Sequence, residues 1–262
     1  MKALVTLLAL YAIMPLAHAA VVGEEITYMS GDTQMKGYIA WDNAVAGKRP
    51  GILVVHEWWG HNDYARKRAN MLAEQGYTAL AVDMYGDGKT ASHPGDAGKF
   101  ATAVRKNMDV AAARFTAALE TLASNETVNP EQISAIGYCF GGGIVLAMAR
   151  RGADLDLVAS FHGSVATDKP VAKGQVKARL AVFNGAADPM VTAAQIAAFK
   201  AEMDRAEVEY LLINYPDALH AFTNPDADLY ASKFDIPLKY DAAADADSWN
   251  QLNVLLREVY VK

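Results

Sequence analysis

The stretch GYCFGGG at residues 137–143 decides the fold, and it directly follows the apolar run ISAI at residues 133–136. The apolar run predicts a buried strand, and the glycines two residues either side of Cys139 predict a sharp turn into a helix. A turn of the form Gly-x-nucleophile-x-Gly presents a reactive side chain at the end of a strand. The alternative is that Cys139 is a small buried hydrophobe, which is the usual role of a free cysteine.

Outward from this stretch, apolar runs alternate with helical patterns, which predicts an α/β fold with a mostly parallel central sheet and helices on both faces. The predicted strands are a hairpin within residues 25–40, turning at 30–32, and residues 51–55, 78–82, 133–136, 157–161, 180–183 and 208–213. The predicted helices are residues 62–75, one long amphipathic helix at 99–122, and residues 142–150, 193–203 and 246–260. The composition of residues 85–98 predicts a loop.

The first 19 residues have the features of an export signal: Lys2, an apolar stretch at residues 4–14, and the small-residue site AHA at 17–19. We expect cleavage after Ala19, a single domain at residues 20–262, and a periplasmic or secreted protein. The rest of the sequence contains no run of about 18 apolar residues, so no membrane span is predicted there. The formal net charge is −6 without a basic stripe, which argues against nucleic acid as a partner.

Cys139 is the only cysteine of the 262 residues. An exported chain normally uses cysteines in pairs, because a lone thiol in an oxidising compartment is exposed to oxidation. A structural position could hold alanine or serine without that hazard. The lone thiol therefore favours a chemical role for Cys139.

Polar residues that follow strands are the candidates for chemistry, because ligands of open α/β sheets bind beyond the carboxyl ends of the strands. After Cys139, Asp188 lies in a turn beyond the strand at 180–183, and His220 lies in a loop beyond the strand at 208–213. A thiol nucleophile needs a base, and the base needs an acceptor that orients it. The order nucleophile, acid, histidine therefore predicts a Cys139–His220–Asp188 triad.

Three alternatives concern a metal site, the acid that orients His220, and the role of His162. His56 and His61 do not have the His-Glu-x-x-His spacing, and they do not lie in a predicted helix, so no metal site is expected there. Asp217 is three residues before His220 and could replace Asp188 as orienter, although its position favours a turn residue. His162 follows a strand and either lines the pocket or, as we favour, satisfies a buried hydrogen bond.

The residues at this point resemble the dienelactone hydrolase family, which has the α/β-hydrolase fold. The resemblance rests on the cysteine turn at 137–142, the aspartate loop at 185–188, the segment His-Ala-Phe at 220–222, and Glu57, Trp58 and Gly60 after the first buried strand. It extends from about Ile26 to the C-terminus.

The resemblance implies a carboxylic ester hydrolase that opens lactones or cleaves esters through an acyl-cysteine intermediate. Cys139 would attack the carbonyl, His220 would act as base and then acid, and Asp188 would orient the imidazole. Glu57 would switch the resting thiol into its reactive state. The backbone N–H groups of Trp58 and Phe140 would form the oxyanion hole.

The sequence departs from the best-known members of that family in its carboxylate-binding arginines. The corresponding slots contain Asp87 and Asn224 instead, so we expect small neutral or apolar substrates rather than dienelactone. Tyr85, Trp59 and Phe222 are the predicted substrate-binding residues, with Lys89 or Arg105 as candidate replacement cations. We expect no cofactor, no metal and a monomer. The alternative function is a non-catalytic ligand-binding or thiol-sensing protein on the same scaffold.

Overall fold

The computed structural model describes residues 21–260, and one eight-stranded sheet runs through that part of the chain. The predicted signal segment, residues 1–19, lies outside the described residues. The strands are β1 (Val21–Ser30), β2 (Thr33–Asp42), β3 (Arg49–Val55), β4 (Thr78–Val82), β5 (Val128–Tyr138), β6 (Leu157–Phe161), β7 (Arg179–Gly185) and β8 (Tyr210–Tyr215).

The strands lie in the order β1-β2-β4-β3-β5-β6-β7-β8. The β1–β2 hairpin is antiparallel, β2 pairs antiparallel with β4, and every pair from β4 through β8 is parallel. The predicted hairpin and mostly parallel sheet are therefore confirmed. β3 lies between β4 and β5, and six of its seven residues are buried, among them the unbroken apolar run at 51–55.

Helices cover both faces of the sheet, as predicted. Those of the described residues are α1 (Asp63–Ala73), α2 (Pro94–Lys106), α3 (Met108–Ala123), α4 (Phe140–Arg150), α5 (Ala193–Ala206), α6 (Ala227–Phe234) and α7 (Ala242–Tyr260). One hydrophobic cluster packs α2, α3, α4 and α5 on one face, and a second packs α1 and α7 on the other. This arrangement brings the carboxyl ends of the parallel strands to one edge of the molecule.

The single long helix predicted at 99–122 is wrong, because two helices meet at Asn107. Asn107 has φ −130° and ψ 78°, outside the helical region, and its side chain accepts a hydrogen bond from the backbone N–H of Val110. It ends α2 and caps α3. The apolar period continues across the break because Val104 and Ala111 are buried in the same cluster.

The predicted loop at 85–98 is too long by five residues, since α2 begins at Pro94. Proline is favoured at the first helical position, where its missing N–H costs nothing. The short helix α6 was not predicted. Its eight residues contribute one buried residue, Ala227, so the sequence carries almost no apolar period there. No helix within residues 21–260 combines the length and apolarity that crossing a membrane would need.

Candidate active site

Cys139 lies at the turn between β5 and α4 with φ 53° and ψ −111°, a conformation that non-glycine residues rarely adopt. The flanking glycines make this turn possible. A Cβ on Gly137 would overlap the backbone of Gly141, and a Cβ on Gly141 would overlap the carbonyl of Val55. The Gly141 N–H also donates to the carbonyl of His56 at 3.1 Å, which fixes α4 against the end of β3. The sharp strand-to-helix turn is therefore present, with a partly buried thiol at its tip.

His220 and Asp188 lie together at the carboxyl ends of β7 and β8. The imidazole Nδ1 and the carboxylate Oδ2 are 2.7 Å apart, and both side chains are buried. The other carboxylate oxygen accepts the N–H of Met190 at 2.7 Å. The N–H of Ala187 donates to the carbonyl of Ala218, which ties the aspartate loop to the histidine loop. By contrast, Asp217 is an exposed turn residue.

The second ring nitrogen of His220 is the one left for the thiol. Nε2 is buried and makes no hydrogen bond of normal geometry within the described residues. Burial by itself lowers the pKa of His220, but the nearby Cys139 sulfur and the Asp188 carboxylate outweigh it and raise the pKa to about 10. An imidazole held between a carboxylate and a sulfur retains a proton at neutral pH, ready for transfer to a leaving group.

Glu57 follows β3, and its carboxyl is almost fully buried. Its Oε2 accepts one hydrogen bond, from the side-chain amide of Asn224 at 2.6 Å. Burial raises the pKa of Glu57 to about 7, while Asn224, His220 and Arg68 act against the shift. Burial therefore dominates, and the single amide hydrogen bond offsets only part of it.

We expect Glu57→Gln to stabilise the protein at alkaline pH. A carboxyl group whose pKa is raised on folding, here from 4.5 to about 7, makes the fold progressively less stable as pH rises through that interval. The variant lacks this penalty and keeps an oxygen for Asn224. Its unfolding free energy should match that of the wild type near pH 4 and exceed it by about 3 kcal/mol above pH 8. Denaturant titrations over this pH range measure the difference, and parallel curves would contradict the assignment.

The backbone N–H groups proposed for the oxyanion hole come from residues that the fold brings side by side. Phe140 is the first residue of α4, where a helix leaves its N–H groups without intrahelical partners. Trp58 follows Glu57, and its carbonyl accepts the hydroxyl of Tyr85 at 2.9 Å. Tyr85, predicted to bind substrate, is buried and does not line the cavity. Its hydroxyl instead anchors the loop that carries Trp58.

His162 is fully buried and hydrogen-bonded through both ring nitrogens. Its Nδ1 accepts the N–H of Cys139 at 3.1 Å, and its Nε2 lies 2.8 Å from the hydroxyl of Thr223. The favoured interpretation, a satisfied buried histidine, agrees with this placement. His56 is likewise occupied at both nitrogens, by the carbonyl of Glu57 and the N–H of Met84. No cluster of three or more metal-ligating side chains occurs within residues 21–260.

A cavity of about 450 Å³ opens above Cys139, a size typical of small-molecule sites. Glu57, His220 and Asn224 supply its buried polar groups. The walls are mostly apolar and aromatic side chains, among them Trp58, Trp59, Met108, Phe140, Ile144, Met190, Tyr230 and Leu238. The predicted contact of Trp59 with this space is therefore present, and its ring stacks on Tyr230 with centroids 4.4 Å apart.

Phe222 is placed differently from the prediction. Its side chain is fully buried and does not line the cavity. It packs edge-on against His162, with ring centroids 5.2 Å apart, and against Tyr215. Of the three residues at 220–222, His220 and Ala221 line the cavity, whereas Phe222 packs in the core.

The charged residues near the cavity also differ from expectation. Asp87 does not line the cavity, and its carboxylate pairs with Lys89 on the surface at 3.0 Å. The substitution of an arginine by Asp87 therefore does not place a carboxylate in the cavity. Arg105 lines the cavity from α2, with its guanidinium 5.5 Å from the ring centroid of Phe140. Of the two candidate cations, only Arg105 reaches the site.

Sequence reasoning missed two residues of the site. Asn224 was identified only as a position that lacks the family's arginine. In the structure it lines the cavity and donates a hydrogen bond to Glu57. Its position four residues after His220 was the available signal. Tyr230 lies on the unpredicted helix α6, so no pattern in the sequence placed it near Trp59.

Comparison with known proteins agrees with this geometry. The family model described as "Dienelactone hydrolase family" matches residues 35–260. The solved structure of m3DLH is 36% identical, with a TM-score of 0.87 over 92% of this chain and 99% of that one. A dienelactone hydrolase-like promiscuous phosphotriesterase, P91, from metagenomic libraries is 33% identical, with a TM-score of 0.85 and the same coverage.

Among curated proteins, a putative carboxymethylenebutenolidase of Synechocystis sp. is 29% identical over 248 residues, which cover 88% of this chain and 95% of that protein. The family match extends over most of the chain, and the similar structures superpose on nearly their whole length. The chain therefore belongs to the dienelactone hydrolase family of ester- and lactone-cleaving enzymes.

Proposed function

We propose that the protein hydrolyses small esters or lactones through an acyl-cysteine intermediate formed on Cys139. The observation that carries the proposal is the buried His220–Asp188 pair, 2.7 Å apart, whose imidazole also lies close to the Cys139 sulfur and has its second nitrogen unpaired. A protonated imidazole would also activate a sensing thiol, but a ligand-binding or sensing protein has no need of an imidazole whose tautomer is fixed by a buried carboxylate. We therefore favour catalysis over the non-catalytic alternative.

In the acylation step, the Cys139 thiolate attacks the substrate carbonyl carbon and forms a C–S bond while the carbonyl π electrons move to oxygen. The N–H groups of Phe140 and Trp58 stabilise this oxyanion; loss of one such donor typically costs about 3 kcal/mol of transition-state stabilisation. When the oxyanion collapses, the ester C–O bond breaks and the leaving oxygen takes the proton from His220 Nε2. The product is a thioester on Cys139 and a neutral imidazole.

In the deacylation step, His220 accepts a proton from water as the water oxygen attacks the thioester carbon. Collapse of this second oxyanion breaks the C–S bond, releases the carboxylic acid and returns the thiolate beside a protonated His220. Asp188 keeps Nδ1 protonated and Nε2 directed at the sulfur in both steps. The partly enclosed position of Cys139 limits competing reactions of the thiol.

The substrate class follows from the walls of the cavity. Apolar and aromatic side chains surround the thiol, and the buried acid Glu57 is neutral or negative but never positive. This lining favours small neutral or apolar acyl groups over dienelactone, whose carboxylate would meet mostly apolar walls and no buried arginine or lysine. Arg105 is exposed at the mouth and offers only a solvent-screened charge.

A substrate panel tests this preference. We expect neutral aryl esters and unsubstituted lactones to have higher kcat/KM than acidic lactones, and amides to be poor substrates. Arg105→Ala should raise KM for acidic substrates by about 2- to 5-fold, because an exposed charge contributes below 1 kcal/mol, and should leave neutral substrates unchanged. Steady-state kinetics measure both values. A strong preference of the wild type for dienelactone would contradict the proposed substrate class.

Phosphotriesters are a second candidate substrate class. The similar structure P91 is described as a promiscuous phosphotriesterase, and a neutral, uncharged triester would suit the apolar lining described above. An aryl phosphotriester in the same panel tests this class. Hydrolysis that is lost in Cys139→Ala would support phosphotriesters as substrates, and no hydrolysis by the wild type would exclude them.

We further propose that the protein is exported and works as a monomer on a small-molecule substrate without a cofactor. The predicted cleavage after Ala19 is checked by N-terminal sequencing of the protein from its native host, and a mature chain that starts elsewhere would contradict it.

A further inference from the structure

A buried arginine lies behind the active site, on the far side of the histidine loop from the cavity. Arg68 of α1 is 3% exposed, and its guanidinium lies 5.3 Å from the ring centroids of Tyr64, Tyr138 and Trp249. It donates to the carboxylate of Asp245 at 2.5 Å. The same Nη2 donates to the backbone carbonyl of Thr223 at 2.7 Å. Arg68 thus fixes the loop that begins with His220.

The hydrogen bonds beyond Arg68 form a continuous chain. Arg68 Nε donates to the hydroxyl of Tyr64 at 3.2 Å, and that hydroxyl lies 2.6 Å from the hydroxyl of Thr223. The Thr223 hydroxyl lies 2.8 Å from Nε2 of His162. Nδ1 of His162 then accepts the backbone N–H of Cys139 at 3.1 Å, in a hydrogen bond that the same N–H shares with the carbonyl of Phe161 at 3.0 Å. The chain therefore connects α1 to the nucleophile itself.

The proton positions in this chain are fixed by its two ends. Because Nδ1 of His162 accepts from Cys139, the ring proton sits on Nε2 and donates to Thr223. The Thr223 hydroxyl then donates to Tyr64, whose own proton goes to the Thr223 carbonyl at 3.2 Å. Every donor has an acceptor, and His162 is held as a neutral imidazole. Its burial, which lowers the pKa of His162, agrees with that state.

This chain of hydrogen bonds connects the parts of the site whose relative positions matter for catalysis. Thr223 lies three residues after His220 and directly before Asn224, which holds Glu57. His162 contacts the N–H of Cys139 at the strained turn, and its ring centroid is 5.3 Å from that of His220. A shift of this loop would change the separation of the thiol and the imidazole, and small misplacements of reacting groups lower rates steeply.

We propose that His162, Thr223, Tyr64 and Arg68 form a positioning relay that sets the approach of His220 to Cys139, in support of the hydrolase function proposed above. None of the four side chains lines the cavity, so they act through the residues that do. The relay differs from ordinary core packing because its links are buried polar contacts that together connect α1 with the histidine loop and the nucleophile.

Thr223→Val tests the relay, because valine keeps the shape of threonine and removes only the hydroxyl. We expect kcat for a neutral ester to fall about 10- to 100-fold while KM changes less than about twofold. Alkylation of Cys139 by iodoacetamide at pH 7 should also slow, since the thiol loses part of its contact with the charged imidazole. Thr223→Ser, which keeps the hydroxyl, should restore both values to near those of the wild type.

Thr78→Val is the matched control. Thr78 is fully buried and its hydroxyl lies 2.7 Å from that of Thr127, at the amino end of β4 and away from the site. This variant loses a comparable buried hydroxyl hydrogen bond but should leave kcat and the alkylation rate unchanged. If Thr223→Val is too unstable to purify, Tyr64→Phe removes a different link and should show the same lowered kcat and slower alkylation.

The outcomes separate the relay from the proposed function. Loss of kcat and slower alkylation in Thr223→Val, with neither in Thr78→Val, supports the relay. Equal behaviour of the two variants, or a change in melting temperature alone, overturns it. If the wild type hydrolyses no ester but Thr223→Val still slows alkylation, the relay stands and the hydrolase proposal fails.

Discussion

Cys139→Ala should lower kcat/KM for a neutral activated ester by about 10⁴-fold or more, because removal of a catalytic nucleophile costs on that order. Alanine keeps the Cβ that the turn already accommodates at φ 53°, so the fold should be retained. His220→Ala should cause a similar loss, since the two residues act as a unit and their effects do not add. Ester hydrolysis by the purified variants measures the loss, and circular dichroism checks that they are folded.

Two carboxylates of the same region supply the control. Asp188→Asn should lower kcat by about 10³- to 10⁴-fold, because an amide at that position stabilises the wrong imidazole tautomer. Asp217→Asn, in the exposed turn before His220, should leave kcat unchanged. Full activity of Cys139→Ala, or equal effects of the two asparagine variants, would contradict the triad.

Gly141→Ala should be strongly destabilising, lowering the unfolding free energy by about 3 kcal/mol. A Cβ on Gly141 would overlap the carbonyls of Val55 and His56, which are backbone atoms and cannot rotate away. The end of β3 and the start of α4 would have to separate. That movement would displace Trp58 and Phe140, so any folded variant should also be nearly inactive. Chemical denaturation measures the first effect and ester hydrolysis the second.

Gly98→Ala provides the comparison within another helix. Gly98 lies inside α2, and a Cβ there would meet no atom within 4 Å. Alanine is favoured over glycine in a helix interior by up to about 1 kcal/mol, so this variant should be slightly stabilised and fully active. A Gly141→Ala protein as stable as the wild type would contradict the close packing of the end of β3 against the start of α4.

The elements that the sequence specified well are those whose chemistry is local. The cysteine turn needs glycine at both flanking positions, and the buried strands are unbroken apolar runs, so both were predictable. Asp188 and His220 followed from topology, because parallel strands deliver their carboxyl ends to one edge. Their common order along the chain was enough to pair them before any distance was known.

The predictions that were wrong concern features that depend on packing between distant parts of the chain. Asn107 breaks a helix without breaking the apolar period, since α2 and α3 bury residues in the same cluster. Aromatic residues near a site face either the cavity or the core, and Tyr85 and Phe222 face the core. The pairing of Asp87 with Lys89 and the contact of Arg105 with the cavity depend on loop and helix placement, which spacing alone cannot give.

Trapping the acyl-cysteine tests the proposed mechanism directly. Wild-type protein is mixed with a p-nitrophenyl ester, quenched in acid within the first turnover, digested and examined by mass spectrometry. We expect one acyl group on the peptide that contains Cys139. This group should form at the rate of p-nitrophenol release and should be absent in Cys139→Ala. Rapid p-nitrophenol release with an unmodified Cys139 peptide, or an acyl group on another residue, would contradict it.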